Sequence, residues 1–316
     1  MSATADAGFH AGELAVQRQA GVRGEAARLA PMLERAALSG GMAAFLSGRT
    51  FAALTGRDQA GRLWTSALAG PPGFLRAVSS QVLAVDARFA GADPLHALPA
   101  GQKVGLVVID FAARRRLRVN GLLAEADTSG LAVEVEQAYG NCPQYIRPRA
   151  LDAGAAGRPA GRARTGSGLS AHDTSLVSAA DTFILGTTHP RRGSDASHRG
   201  GPPGFVRVLG DGRLRWADFP GNNLFNSLGN LAVDPEAALL FLDFAAGHSL
   251  HLSGTAAVEW DTVDGETVVE GETVKGDTVD GDAVEGDTAQ PNQNAGRSVV
   301  FSPQRLVALD RRGGDQ

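Results

Sequence analysis

Two different periods run along this chain. In "HAGELAVQRQAGVRGEAARLAPMLERAAL" (10–38) apolar and charged residues interleave at helical spacing. That pattern predicts two short helices, broken near Gly21 and bent or stopped at Pro31, whose ring removes a backbone donor. From Phe45 the apolar residues come in short runs, "RTFAALTG", "LWTSALAG", "FLRAVSS" and "KVGLVVIDF", punctuated by glycine and proline. These predict strands and turns. Residues 151–168, "LDAGAAGRPAGRARTGSG", have little apolar bulk and read as a linker. A short helix follows in "SAHDTSLVSAA" (170–180), and strands resume with "DTFILGTT" (181–188).

Several of these runs occur twice. "GPPGF" stands at 70–74 and again at 201–205, an offset of 131. "TF" at 50–51 meets "TF" at 182–183, an offset of 132, and "VVIDFAARRRLRVNG" (107–121) meets "LFLDFAAGHSLHLSG" (240–254), an offset of 133. Three blocks in one order at nearly constant spacing point to a duplicated β unit. The third block reads as an apolar strand, a turn and an alternating strand, which is a hairpin. The expected organisation is a helical arm (1–40), a first β domain (41–150), the linker (151–168) and a second β domain (169–316). The second domain carries an acidic insert at 261–290, built on tandem Asp/Glu-Thr-Val-x-Gly units, and it reads as an expanded hairpin loop. Its charges and glycines disfavour a core, while its Thr-Val pairs suit short ribbons.

Composition narrows the classes. The chain has 316 residues, 43% hydrophobic and 20% charged, enough for two domains with cores. A net charge of −4 argues against nucleic acid, and no apolar run is long enough to span a bilayer. The first residues lack the basic and apolar regions of a signal peptide, so the expectation is a cytoplasmic protein. The single cysteine, Cys142, excludes an internal disulfide and a cysteine metal cluster. His248 and His251, in "DFAAGHSLHLSG", lack a third ligand in the sequence, so no metal site is expected there. Trp64 and Trp216 read as core or rim aromatics.

Two polar blocks carry candidate chemistry. "DFPGNNLFNSLGNLAVDP" (218–235) holds Asn222, Asn223, Asn226, Ser227 and Asn230. These side chains suit a phosphate or the polar edge of a ring system; they equally suit turn and helix caps. The second block, Ser197, His198 and Arg199, immediately precedes the second "GPPGF". An arginine offers a bidentate donor to phosphate and a histidine a titratable one. The other reading is a solvated turn. In the first copy Ala67 and Leu68 stand opposite His198 and Arg199, so the copies share scaffold residues and differ in polar ones.

"ASHRGGPPGFVRV" followed by "RWADFPGNNLFNSLGNLAVDPEAALLFLDFAAGHSLHLSGTAAVEW" resembles the pyridoxamine 5′-phosphate oxidase-like, FMN-binding split-barrel superfamily, in its tandem two-barrel branch. "NCPQYIRPR" (141–149) is similar to the segment that closes the first barrel in that branch. The likeness is strong over 170–310 and weaker over 40–150. It implies a mainly β protein with a few short helices: two tandem six-stranded split β-barrels forming an intrachain pseudo-dimer, with the first site degenerate. It implies FMN, with heme as a lesser alternative, held by Ser197, His198, Arg199, Asn222, Asn223, Asn226, Ser227 and Asn230. The implied activity is that of an FMN-dependent oxidoreductase acting on a small molecule, with a separate reductase or ferredoxin as partner and a homodimer as a further assembly. The alternative is a non-catalytic flavin- or heme-binding protein. No catalytic side chain is assigned, His198 being the nearest candidate. Many relatives carry a cation where Leu224 and Gly229 stand here, which implies either a modest FMN affinity or compensation by Arg147, Arg149 or Arg207.

Overall fold

Residues 8–33, 37–141, 143–149, 160–263, 266–267 and 296–311 are described by a computed structural model. Helices α1 (Ala11–Gln19), α2 (Arg23–Leu29) and α3 (Gly40–Ser47) precede strands β1 (Phe51–Arg57), β2 (Leu63–Ala69), β3 (Leu75–Ser79), β4 (Val82–Val85), β5 (Lys103–Asp110), β6 (Arg115–Ala126) and β7 (Leu131–Asn141). The second half holds β8 (Ala160–Gly166), α4 (Ala171–Ala179), β9 (Thr182–His189), β10 (Gly193–Gly200), β11 (Val206–Val208), β12 (Leu214–Ala217), α5 (Asn226–Leu231), β13 (Glu236–Leu242) and β14 (Ser249–Trp260). Two-residue strands β15 (Thr262–Val263) and β16 (Glu266–Thr267) and the long β17 (Arg297–Arg311) complete it.

The two sheets have one topology. The first runs β2-β1-β5-β6-β7-β4-β3 and the second β10-β9-β13-β14-β17-β12-β11, all antiparallel. Each has seven strands where the family resemblance implies six, and β8 adds an eighth to the second by pairing with β17. Residues 160–166 are therefore strand and not linker; residues 151–159 lie outside the described residues.

The "GPPGF" corners explain themselves in this topology. Each joins the two edge strands of its sheet, β2 to β3 and β10 to β11, and so bridges the split. Gly70 N donates to Thr50 O, Gly73 N to Ser47 O and Phe74 N to Pro71 O. At an offset of 131, Gly201 N donates to Asp181 O, Gly204 N to Ser178 O and Phe205 N to Pro202 O. The fourth residue has positive φ, +99° at Gly73 and +86° at Gly204, which glycine adopts without penalty. A Cβ on Gly70 or Gly201 would lie 2.6 Å from its own corner's phenylalanine. These bonds also tie each corner to the end of a helix, α3 or α4.

The structural offset through the first strands is 131, so the "TF" match at 132 is one residue out of register. Phe51 corresponds to Thr182, because Phe51 pairs with Ala69 and Thr182 with Gly200. A one-residue slip changes faces in a strand. Accordingly Phe183 packs in the second barrel's core with Trp216, Phe241 and Phe301, while Phe51 points outward to the other barrel. The offset of 133 in the third block holds: Ala53 pairs with Val107 and Ile184 with Leu240. Both long hairpins also carry a bulge at the same place, before Gly121 and before Gly254.

The barrels pack on each other within the chain. Phe51, Val107, Ile109 and Phe111 meet Ile184, Ala196 and Leu240, and Ile146 joins them. Each large apolar side chain fully buried there contributes about 1.5–3 kcal/mol. The acidic insert does join a hairpin, since β14 and β17 pair from Ser249–Leu309 to Trp260–Arg297. Of the insert, β15 and β16 form one short ribbon; residues 264–265 and 268–295 lie outside the described residues. Among the described residues no helix is long and apolar enough to cross a membrane.

Candidate functional site

Strand β6 builds one wall of the site. In "RLRVN" (116–120), period two sends Leu117 and Val119 into the first core. Arg116, Arg118 and Asn120 take the opposite face, which the second barrel covers. Arg118 is buried. Its Nη2 donates to Ser197 Oγ at 2.8 Å and its Nη1 to Tyr139 Oη at 3.1 Å, with Asp195 Oδ1 at 3.3 Å. Arg116 Nη1 meets His198 Nδ1 at 2.9 Å. An arginine only donates, so Nδ1 of His198 is the acceptor and the ring proton sits on Nε2. Burial, then the charges of Arg116, Arg199 and Arg149, push the His198 pKa well below its ordinary value, so the ring is neutral.

The opposite wall comes from β10, β12 and the 218–228 segment. Arg199 donates to Asp218 Oδ1 at 2.6 Å, and Arg297 to Asp218 Oδ2 at 2.7 Å. Asn223 and Phe225 have φ of 57° and 61°, the left-handed region. Such backbone costs a non-glycine residue about 1–2 kcal/mol, so packing must hold it. Phe225 is held by Val16, Ala20 and Leu228, with the Arg297 guanidinium 4.8 Å from its ring.

Between these walls lies a cavity of about 90 Å³. Ser197, His198, Arg199, Asn222, Asn223, Asn226 and Ser227 all line it, with Arg116 and Arg118 from the other barrel. Arg118 Nε, His198 Nε2, Arg199 Nε and Trp216 Nε1 are buried N–H donors with no partner among the described residues. Among the described residues Arg118 pairs with Asp195, and Arg199 and Arg297 share Asp218. Unpartnered buried donors on cationic side chains suit an oxyanion. The volume suits a phosphate-sized group, being about three waters at ~30 Å³ each.

At two points the geometry differs from expectation. The arginines that line the cavity are Arg116, Arg118, Arg199 and Arg297, while Arg147 and Arg207 do not line it. Arg149 is engaged by Asp181, with its guanidinium 4.3 Å from the Phe244 ring. Leu224 is buried and holds Gln17 through its carbonyl, while Gly229 receives α1. Asn230 does not line the cavity. It sits behind it, donating to Thr187 Oγ1 at 3.0 Å and accepting from His10 Nε2 at 3.1 Å.

The arm is docked along this rear side. A Cβ on Gly12 would lie 2.1 Å from Gly229 O, so only glycine permits the α1–α5 crossing. Glu13 caps α1 and accepts from Asn226 Nδ2 at 2.5 Å and from His10 N at 2.8 Å. Burial, foremost, raises the Glu13 pKa from 4.5 to about 7 and lowers that of His10 from 6.5 to about 4. Arg192 and His189 face the pair. Alone, Glu13 would lose docking stability as pH rises from 4.5 through 7, because the docked form holds the proton longer. Alone, His10 would lose it as pH falls from 6.5 through 4. Between pH 4.5 and 6.5 the undocked pair is Glu⁻/His⁺ and the docked pair is neutral, so no net proton is exchanged. The pair therefore adds no slope of its own to the unfolding free energy there. The slope set by other groups, such as the buried neutral His198, is common to wild type and variants. Relative to wild type, Glu13→Gln should make the unfolding free energy fall towards acid, and His10→Gln towards neutrality. Denaturant unfolding between pH 4 and 8 checks this; identical profiles for all three chains would contradict it.

A pseudo-twofold mate of the site exists and is closed. Ser66 corresponds to Ser197 (offset 131) and His251 to Arg118 (offset 133). His251 Nδ1 lies 3.2 Å from Ser66 Oγ, as Arg118 lies against Ser197. Ser66 donates to Asp93 Oδ1 at 2.7 Å, and Ser249 Oγ lies 3.0 Å from His251 Nε2. Ser66, Asp93 and His251 are 0%, 6% and 1% exposed and satisfy one another. Sequence reasoning missed Arg116, Arg118 and this cluster. The signal was the alternation "RLRVN" against "SLHLS", polar on one face in both copies.

No family model matches the sequence, and no curated protein matches it. Among solved structures, the chain is similar to HupZ of Group A Streptococcus at 9% identity, covering 46% of this chain and 100% of that one with a TM-score of 0.29. It is similar to a Clostridium acetobutylicum protein of the pyridoxinephosphate oxidase family at 13% identity, covering 43% and 84% with a TM-score of 0.27. It is also similar to a pyridoxamine 5′-phosphate oxidase-related, FMN-binding protein of Nostoc punctiforme at 11% identity, covering 44% and 76% with a TM-score of 0.24. The expectation of a mainly β protein built from two tandem β units with a few short helices is met: two antiparallel sheets of one topology, of seven and eight strands.

Proposed function

We propose that the chain is an FMN-binding flavoprotein with one site for its two barrels, and that it acts as an FMN-dependent oxidoreductase on a small molecule. The observation that carries this reading is the set of unpartnered buried donors around a phosphate-sized cavity between the barrels. Arg116, Arg118, Ser197, His198 and Arg199 would hold the phosphate, with Asn222, Asn226 and Ser227 at its rim. FMN supplies hydride and single-electron transfer when bound. The chain's own part is to fix the phosphate, exclude water from the arginines and keep His198 neutral as an Nε2–H donor. His198 is thus a binding group and not a general base. Asp93 and His251 fill the mate of the site, which supports a degenerate first barrel.

A second reading, a flavin carrier without catalysis, is favoured by one observation: no acid or base among the described cavity residues is both ionisable near neutrality and free of an ion pair. Absorbance spectra of the purified full chain, with and without added FMN, separate these. A flavin spectrum with NADH or NADPH oxidation supports the enzyme, and a flavin spectrum without it supports the carrier. A Soret band indicates heme, and a colourless protein that takes up no FMN contradicts both flavin readings.

A further inference from the structure

On the outer side of the second barrel, three side chains from three elements converge. His172 is the second residue of α4, His248 ends the β13–β14 turn and Asp310 stands near the end of β17. One ligand atom from each lies within 4.8 Å of the other two, and none of the three is buried. The two imidazoles approach with His172 Nε2 and His248 Nδ1 3.3 Å apart. Ligands on zinc at about 2.05 Å, set at a tetrahedral angle, stand about 3.3 Å from each other. The spacing of the nitrogens is already that of two ligands on one ion.

Local structure places each group. The α4 start is fixed by a capping box between Ser170 and Asp173, which sets His172 on the first turn. The hairpin turn is closed by Asp243, whose amide donates to His248 O at 2.9 Å, with Gly247 at φ +74° just before the histidine. The β17–β8 ladder shifts register between Leu309 and Arg311, and such a bulge re-aims the side chain within it. The first barrel has Gly41 where His172 stands (offset 131) and Arg115 where His248 stands (offset 133). The cluster thus belongs to one copy only, as the polar residues of the cavity do.

We propose that His172, His248 and Asp310 bind one divalent transition-metal ion of the zinc or nickel class, clasping α4, the β13–β14 hairpin and the end of β17 together. Two imidazoles and a carboxylate suit such ions, and three protein ligands leave a position for water or a further donor. The sequence pairing of His248 with His251 is replaced: His251 is buried against Ser66, and the second histidine comes from α4.

The test uses the untagged full chain, metal-stripped, titrated with Zn²⁺ by calorimetry and with Co²⁺ by visible absorbance. The expected result is one ion per chain, cobalt d–d bands and a raised melting temperature with Zn²⁺. His172→Ala and His248→Ala should each weaken Zn²⁺ binding by about tenfold or more, since even outer partners of a metal site are worth about 10–100-fold. Asp310→Asn should weaken it less. All three positions are at the surface, so the metal-free melting temperatures should match that of the wild type. Unaltered Zn²⁺ affinity in the two histidine variants would overturn the proposal and assign the ion to other carboxylates of the chain. So would the absence of cobalt bands in the wild type.

Discussion

Arg118→Ala is expected to cost about 3–5 kcal/mol of stability, because it strands a buried aspartate. Arg118 and Asp195 have side chains 8% and 4% exposed. The same arginine also organises Ser197 and Tyr139, so the change removes two further hydrogen bonds. Urea unfolding should show a midpoint well below that of the wild type with little change in slope. Adding Asp195→Asn to Arg118→Leu should recover much of the loss, because removing both charges of a buried pair is often near neutral. Anion affinity should stay low in that double variant, since the phosphate donor is still missing. A loss under about 0.5 kcal/mol for Arg118→Ala would mean that the arginine behaves as a surface residue.

Gly105→Ala is the second large effect, and it acts on the contact between the barrels. A Cβ there would lie 2.5 Å from Asp195 Cα, 2.7 Å from Ser194 O and 2.8 Å from Ala196 N. All three are backbone atoms of β10, so no side chain can swing away. The barrels must separate by several tenths of an ångström at the strand that carries Asp195 and Ser197. Overpacking of this kind costs about 1–3 kcal/mol or more. It should also loosen the cavity, so ligand affinity and stability should fall together. Gly140→Ala, which meets nothing within 4 Å, is the control and should stay within about 0.5 kcal/mol of the wild type. Equal behaviour of the two variants would contradict the close inter-barrel packing at β10.

Much of the fold was legible because its signals are local. The strands announce themselves by short apolar runs, and the duplication by corners whose glycines answer to backbone geometry at Gly73 and Gly204. The hairpin of the third block was read correctly, and its offset of 133 holds in the strand pairing. The "TF" match failed by one residue because two letters carry no information about strand parity. Helix α3 went unread because "GGMAAFLS" opens on two glycines and continues straight into the strand texture. Residues 160–166 read as linker because Gly, Ala and Arg carry little apolar signal; their pairing is supplied by β17.

The site was half legible for a different reason. Ser197, His198, Arg199 and the asparagines stand out as polar residues in a β protein. Arg116 and Arg118 look like the solvated face of a strand, which is what "RLRVN" would be in a single barrel. Only the docking of the second barrel buries that face and turns solvent-facing cations into cavity walls. The same docking accounts for His251, which the sequence offers only as a neighbour of His248 and which the first barrel buries against Ser66. Asn230 was expected at the cofactor with the rest of its Asn/Ser run, as the resemblance implied, while α5 turns it towards His10.

On the proposed function, the inter-barrel cavity holds the phosphate of a flavin. Flavin-fluorescence titration of the full chain with FMN and, in parallel, with riboflavin tests it most directly. The two ligands share the ring and differ in the phosphate. Charge-assisted bonds are worth about 1.5–3 kcal/mol each. FMN is therefore expected to bind at one per chain and at least about tenfold more tightly than riboflavin, with the difference shrinking in Arg199→Ala. Equal affinity for the two flavins, or two FMN per chain, would overturn the assignment of the phosphate to this cavity.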